Sequence, residues 1–161
     1  MEIREAYRDE IGALAEARES LGPEFPSSES LLKLRQSPHV LMPVAVVGPE
    51  IVGFAIAKVI TVRRGRFGTV LYLTSLVGEG PVDLAIKGAL LSRLEQKLRD
   101  LEVDEIQLPA DQPSEFIDHL EKAGYHLDAQ DSELSLSFNS RHRFAKLLRS
   151  VLPWARGAAP G

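Results

Sequence analysis

The chain has 161 residues, 44% of them hydrophobic and 26% charged, with a net charge of −4. That length and composition suit one globular domain with a sizeable core, and argue against a disordered or fibrous chain. The absence of cysteine excludes a disulfide framework, a thiolate nucleophile and a Cys-ligated zinc, and fits a cytoplasmic setting.

The N-terminal stretch MEIREAYRDEIGALAEA carries acids among its apolar residues and has no basic n-region, so it does not read as a signal peptide. No run of about 18 apolar residues is present to span a bilayer. Charge is unevenly placed. All 23 acidic residues lie at or before Glu133, whereas the 28 residues after it carry five basic ones. An acidic body with a basic tail points to a tail that meets an anionic partner or lies against its own body.

In chain order, residues 2–5 read as a first strand, followed by a helix from about Arg8 to Leu21 that Gly22-Pro23 stops. Ser27 and Ser28 are N-cap residues for a second helix carrying Leu31, Leu32 and Leu34, which ends before Pro38. Two β-branched runs, Pro43 to Val47 and Ile51 to Val62, flank Gly48-Pro49-Glu50 and predict a hairpin. A basic turn, Arg63 to Gly68, leads to a strand from Thr69 to Val77 and completes an antiparallel meander. Next come a glycine-bearing turn, Gly78 to Pro81, and a long amphipathic helix with Leu84, Leu91, Leu94 and Leu98 on one side.

A short strand at Glu105 to Leu108 follows this crossover and is expected to lie parallel to the Leu71 strand. A helix from about Pro113 to Ala123, ended by Gly124, precedes two strands near Tyr125 to Ala129 and Glu133 to Phe138. In the tail, Arg141, Arg143, Lys146 and Arg149 alternate with Phe144, Leu147, Leu148, Val151 and Leu152 at helical spacing until Pro153. The expected division is a domain over residues 1–138 and a basic amphipathic extension over 139–161.

This order of elements resembles the GCN5-related N-acetyltransferase (GNAT) family. Three passages carry the resemblance: VAVVGPEIVGFAIAKV (Val44 to Val59), GALLSRLEQKLRDLEVDEIQL (Gly88 to Leu108) and EKAGYH (Glu121 to His126). It implies an α/β (α+β) fold with a mixed, mostly antiparallel sheet of about six or seven strands flanked by about four helices, here with a C-terminal basic helix added. It also implies acetyl-CoA, or another acyl-CoA, as the acyl donor and a small-molecule or protein amine as acceptor. A non-catalytic binding module on the same fold is the alternative.

The resemblance further implies where the coenzyme would lie. The residues around the strand end and the following helix, Leu76, Val77, Val82, Ala85, Ile86, Lys87 and Gly88, correspond to the coenzyme-binding stretch. The family writes Arg or Gln, two free residues, Gly, one free residue and Gly or Ala there, so that backbone amides approach a diphosphate closely at a helix N-terminus. Here those three positions fall on Val82, Ala85 and Lys87. Lys87 either supplies a cation to the phosphates or is a solvated position on a decayed cradle, unless the register slips so that Gly78, Gly80 and Gly88 take over.

The family's proton donor, a tyrosine before E-K-x-G-F, corresponds to Leu120, which leaves His119 and Tyr125 as the nearest titratable substitutes. The asparagine that precedes that helix falls near Pro113. The strand Leu71 to Val77 offers Tyr72, Thr74 and Ser75 and no carboxylate base.

The remaining residues read more plainly. The four histidines show no metal-ligand spacing, so no metal is expected. Asp128, Asp131 and Glu133 lack the loop of a calcium site and read as a solvated hairpin. Arg63, Arg64 and Arg66 read as a charged hairpin tip. Residues 141–154 are the better interaction candidate: a basic amphipathic helix ending in Trp154 suits an anionic partner or membrane surface, or packing on the domain or a homodimer mate. The acidic body argues against nucleic acid.

Overall fold

The computed structural model describes residues 1–16, 25–77 and 80–138. The expected end of the first helix near Leu21 and the whole extension 139–161 lie outside these residues. The elements are β1 (Glu2–Glu5), a 3₁₀ turn (Arg8–Glu10), α1 (Ile11–Glu16), α2 (Ser28–Gln36), β2 (Val40–Leu41), β3 (Pro43–Val47), β4 (Glu50–Val62), β5 (Gly65–Ser75), α3 (Pro81–Asp100), β6 (Glu105–Pro109), α4 (Ser114–Lys122), β7 (His126–Asp128) and β8 (Glu133–Ser137). The strands form one eight-stranded sheet in the order β1-β3-β4-β5-β6-β8-β7, with β2 on β4. The two-residue β2 takes the count above the six or seven expected.

Contacts divide the described residues into two units, those of 1–58 with 72–94 and those of 59–71 with 95–138. In the first, β1 pairs antiparallel with β3, and β3 with β4 across the two-residue turn Gly48-Pro49. Gly48, at φ 58°, takes the left-handed position that such a short turn needs. Residues Val52 to Ala57 of β4 are all buried, as expected of a strand covered on both faces. Ala6, Ile11, Leu14, Phe25, Leu31, Met42 and Phe54 form a core cluster against which Tyr72 and Leu76 pack. Ser27 caps α2 by accepting from the Ser30 N–H at 3.3 Å. Across the sheet, α3 lies close on β4: a Cβ at Gly53 would stand 2.5 Å from Ile86 Cγ2 and 2.9 Å from the Thr74 carbonyl oxygen.

In the second unit β6 runs parallel to β5 over Phe67↔Glu105, Gly68↔Ile106 and Thr69↔Gln107 and antiparallel to β8, which pairs with β7. The expected six-residue basic turn is only two residues long. Arg63 and Arg64 are the exposed turn, and β5 already begins at Gly65. Gly65 and Gly68 are small for packing reasons, since Cβ atoms there would collide with Asp104 and Leu98. Arg66 is not a solvated tip residue: its N–H donates to Asp104 Oδ2 at 3.0 Å and its guanidinium to the Leu101 carbonyl at the end of α3. Among the described residues no helix is long and apolar enough to cross a membrane.

Candidate functional site

The site expected from the sequence begins where β5 ends. The Leu76 N–H donates to the Val52 carbonyl at 2.8 Å, so pairing with β4 continues one residue past the strand. The Val77 N–H donates to Ser75 Oγ at 3.3 Å. Both amides at the head of the stretch that the resemblance assigns to the coenzyme therefore have acceptors inside the chain. The Val77 bond is the longer and more local of the two, and the more readily exchanged.

The turn then feeds α3. Gly80 has φ 88° and open space where a Cβ would be. Pro81 opens the helix, a position where its fixed φ is favourable and its missing N–H is not needed. The Leu84 N–H already donates to the Gly80 carbonyl at 3.2 Å. Of the first helical residues, Val82 and Asp83 thus bring the amides that an α-helix leaves without an intrahelical partner.

Lys87 is neither a surface position nor solvated. Its ammonium lies 3.2 Å from Asp83 Oδ2, and the two side chains are only 13% and 17% exposed. Helical spacing puts Asp83 and Lys87 on the face that continues through Leu90, Leu94 and Leu98, all three fully buried. The pair heads the inner stripe of α3. Asp83 also sits in the first turn, where a carboxylate is stabilised by the positive end of the helix. An internal anion thus occupies the electrostatic position that a bound phosphate would take. Asp83 was missed in the sequence reading, although its i, i+4 spacing to Lys87 was the available signal.

Val77, Val82, Ala85 and Ile86 come together along one concavity of about 470 Å³, with Met1, Val47, Glu50, Val52 and Pro81. Leu76 packs instead on the core cluster, and Gly88 is half-buried on the second turn of α3.

The two proton-donor candidates lie in the other unit. His119 is exposed on α4, its ring stacked 6.2 Å from Phe116. Tyr125 is buried, and its hydroxyl donates to Glu95 Oε1 at 2.8 Å. Burial, then the Glu95 carboxylate, pushes its pKa far above the ordinary phenol value, the wrong direction for a general acid. Leu120 is buried in the core, and Pro113 stands at the N-cap of α4 without a side-chain hydrogen bond. Asp128 accepts from the Gln130 and Asp131 N–H groups and closes its own hairpin turn. Among the described residues no group of three or more acids and histidines could hold a metal.

No protein-family model matches the sequence, and no curated protein does. Solved structures do match. The chain is similar to a PaiA N-acetyltransferase from Thermoplasma acidophilum in complex with coenzyme A, at 18% identity and a TM-score of 0.67, over 85% of this chain and 98% of that one. The chain has the GNAT fold. It is also similar to an aminoglycoside 6′-acetyltransferase type Ii (22% identity, TM-score 0.63, covering 85% and 97%) and to Ard1 from Thermoplasma volcanium (17%, 0.62, covering 84% and 96%). The GNAT fold accounts for the parallel pairing of β5 with β6 and for the strand–turn–helix that carries Lys87.

Proposed function

We propose that this chain binds an acyl-coenzyme A, acetyl-CoA in the first instance, and transfers the acyl group to an amine. The support is the near-complete overlap with N-acetyltransferases, one of them holding coenzyme A. The observation that carries the reading is the Lys87 ammonium, held 3.2 Å from Asp83 within the first turns of α3. A diphosphate would be met there by a cation rather than by a cradle of small residues, with Asp83 exchanged for phosphate oxygens. Gly80 leaves space for that approach.

In the transfer a neutral amine attacks the thioester carbonyl, a C–N bond forms and the C–S bond breaks. The amine proton leaves to solvent and the thiolate takes one up. The Val77 N–H, released from Ser75 Oγ, is the group suited to receive the developing oxyanion.

A second reading is favoured by one observation: Asp83 already balances both Lys87 and the helix end. On that reading the fold is a non-catalytic binding module, with residues 141–154 as the segment that meets an anionic partner or membrane surface. Thermal shift with millimolar coenzyme A and acetyl-CoA separates the two, because a ligand selective for the folded state raises the melting temperature. A shift that disappears in Lys87→Glu, with release of free thiol on adding amines, supports transfer. No shift for either compound defeats it.

A further inference from the structure

In the second unit the two faces of the sheet differ. A Cβ at Gly68 would meet Leu98 of α3 at 2.6 Å, and Ile106 and Leu136, in register with Gly68, point the same way. Tyr125, just after α4, bonds to Glu95 of α3, so both helices of the unit stand on that side. Alternation sends Phe67, Thr69, Glu105, Gln107 and Ser135 to the other. Thr69 Oγ1 donates to Gln107 Oε1 at 3.3 Å and Gln107 Nε2 to Glu105 Oε2 at 3.4 Å, as side chains on one face can. By the same alternation from Gly53, whose Cβ would face α3, Ile60 and Val62 also lie on this second face. They are 38% and 47% exposed.

No described helix of this unit lies on that face, yet Glu105 is only 2% exposed and Ser135 3%. A carboxylate withdrawn from water requires cations or donors around it. Of the described cations on neighbouring strands, Arg66 donates to the Leu101 carbonyl, and His126 is exposed on the edge strand β7. The chain itself brings more. Ser137 stands opposite Glu105 in the ladder, and the Phe138 N–H donates to the Asp104 carbonyl at 2.8 Å. The polypeptide therefore leaves the described domain beside that carboxylate. Residues 139–161 follow, with five basic and no acidic side chains. Arg141 is four residues past Ser137, within a reach of about 13 Å, and Phe144, Leu147, Leu148 and Val151 come next at helical spacing.

We propose that residues 141–154 dock on this face of their own domain, with Arg141 and Arg143 toward Glu105 and the apolar stripe against Phe67, Ile60 and Val62. The docking is independent of acyl transfer, and it withholds the segment from the external partner that the second reading requires.

Trp154 is the only tryptophan, so its fluorescence reports on the segment alone. In the full chain its emission is expected to be that of a buried indole, shielded from acrylamide, and to change in the same urea transition as the circular dichroism. Trypsin is expected to cut after Lys146 and Arg149 about tenfold more slowly than in the double variant Arg141→Glu/Arg143→Glu, because the cut waits for the segment to lift off. That variant lies outside the described domain and should leave its circular dichroism unchanged. Glu105→Gln is expected to expose Trp154 and both cut sites similarly, and to add little when combined with the arginine substitutions.

A solvent-exposed Trp154 in the wild type, with both sites cut as fast as in the variants, overturns the proposal. So does protection that is indifferent to Glu105→Gln and to the arginine substitutions, or that arises only with vesicles of anionic lipid. Protection that grows with protein concentration alongside a dimer in sedimentation equilibrium overturns it too, and makes the segment an arm between copies.

Discussion

Gly53 is the point at which the seating of α3 is most sensitive. An alanine Cβ there would stand 2.5 Å from Ile86 Cγ2 and 2.9 Å from the Thr74 carbonyl oxygen, with Leu90 Cδ1 at 3.2 Å. The Ile86 methyl can swing aside, but the Thr74 oxygen is backbone in β5 and cannot move without moving the strand. Overpacking of this kind costs about 1–3 kcal/mol. In a chain of this length each kcal/mol lowers the melting temperature by about 2–4 °C, so Gly53→Ala should melt about 2–12 °C below the wild type.

Differential scanning calorimetry and urea unfolding give the two numbers. The informative variant is the double substitution Gly53→Ala/Ile86→Ala. Ile86→Ala alone loses buried area and leaves a cavity, but with Gly53→Ala the new methyl group fills part of that space. The double variant should therefore be more stable than the sum of the single losses by about 0.5–2 kcal/mol. Strict additivity would refute the claim that α3 is seated on β4 through this contact.

Three further outcomes follow from the same geometry. Asp83→Asn should destabilise by about 1–3 kcal/mol in urea unfolding, between the values for exposed and buried pairs, and by more than Lys87→Met, because it also forfeits the helix-end interaction; equal losses would show that the helix end contributes nothing. The Tyr125 phenol is held protonated in the folded state above its ordinary value of 10.0, so its contribution is intact below about pH 10 and stability falls as pH rises beyond it, by at most about 1.4 kcal/mol per pH unit. Tyr125→Phe should flatten that alkaline slope, and an unchanged slope would mean that other groups set it. Truncation after Asn139 should abolish binding to vesicles of anionic lipid if residues 141–154 are a docking segment; a lower melting temperature with unaltered vesicle binding would mean that they pack on the folded domain.

The meander and the long helix were legible because their signals are local: β-branched runs around Gly48-Pro49, a Ser27 cap, a leucine stripe in α3. Other features depended on partners distant in the chain. Three arginines and two glycines between residues 63 and 68 look like a loop. Gly65 and Gly68 are there because Asp104 and Leu98 pack against them, and nothing near them in sequence says so. Tyr125 is fixed by Glu95, 30 residues earlier. At the site, the length of Lys87 against the family's small residues is visible in the sequence, but its burial with the acid one turn before it is a property of the packed helix. The apolar concavity could not be read at all, because Met1, Val47, Val77 and Val82 come from four separate places along the chain.

The ion pair at the head of α3 sets a rule for any anion that binds there. A newcomer does not add a contact to a waiting cation; it displaces a carboxylate already in place, and Asp83, tethered one turn away, keeps its negative charge. Such swaps respond weakly to dissolved salt, whereas anion sites built from solvent-facing cations weaken steeply with it. The seat was filled from within the chain, so its selectivity rests on how much better than Asp83 a guest can fit.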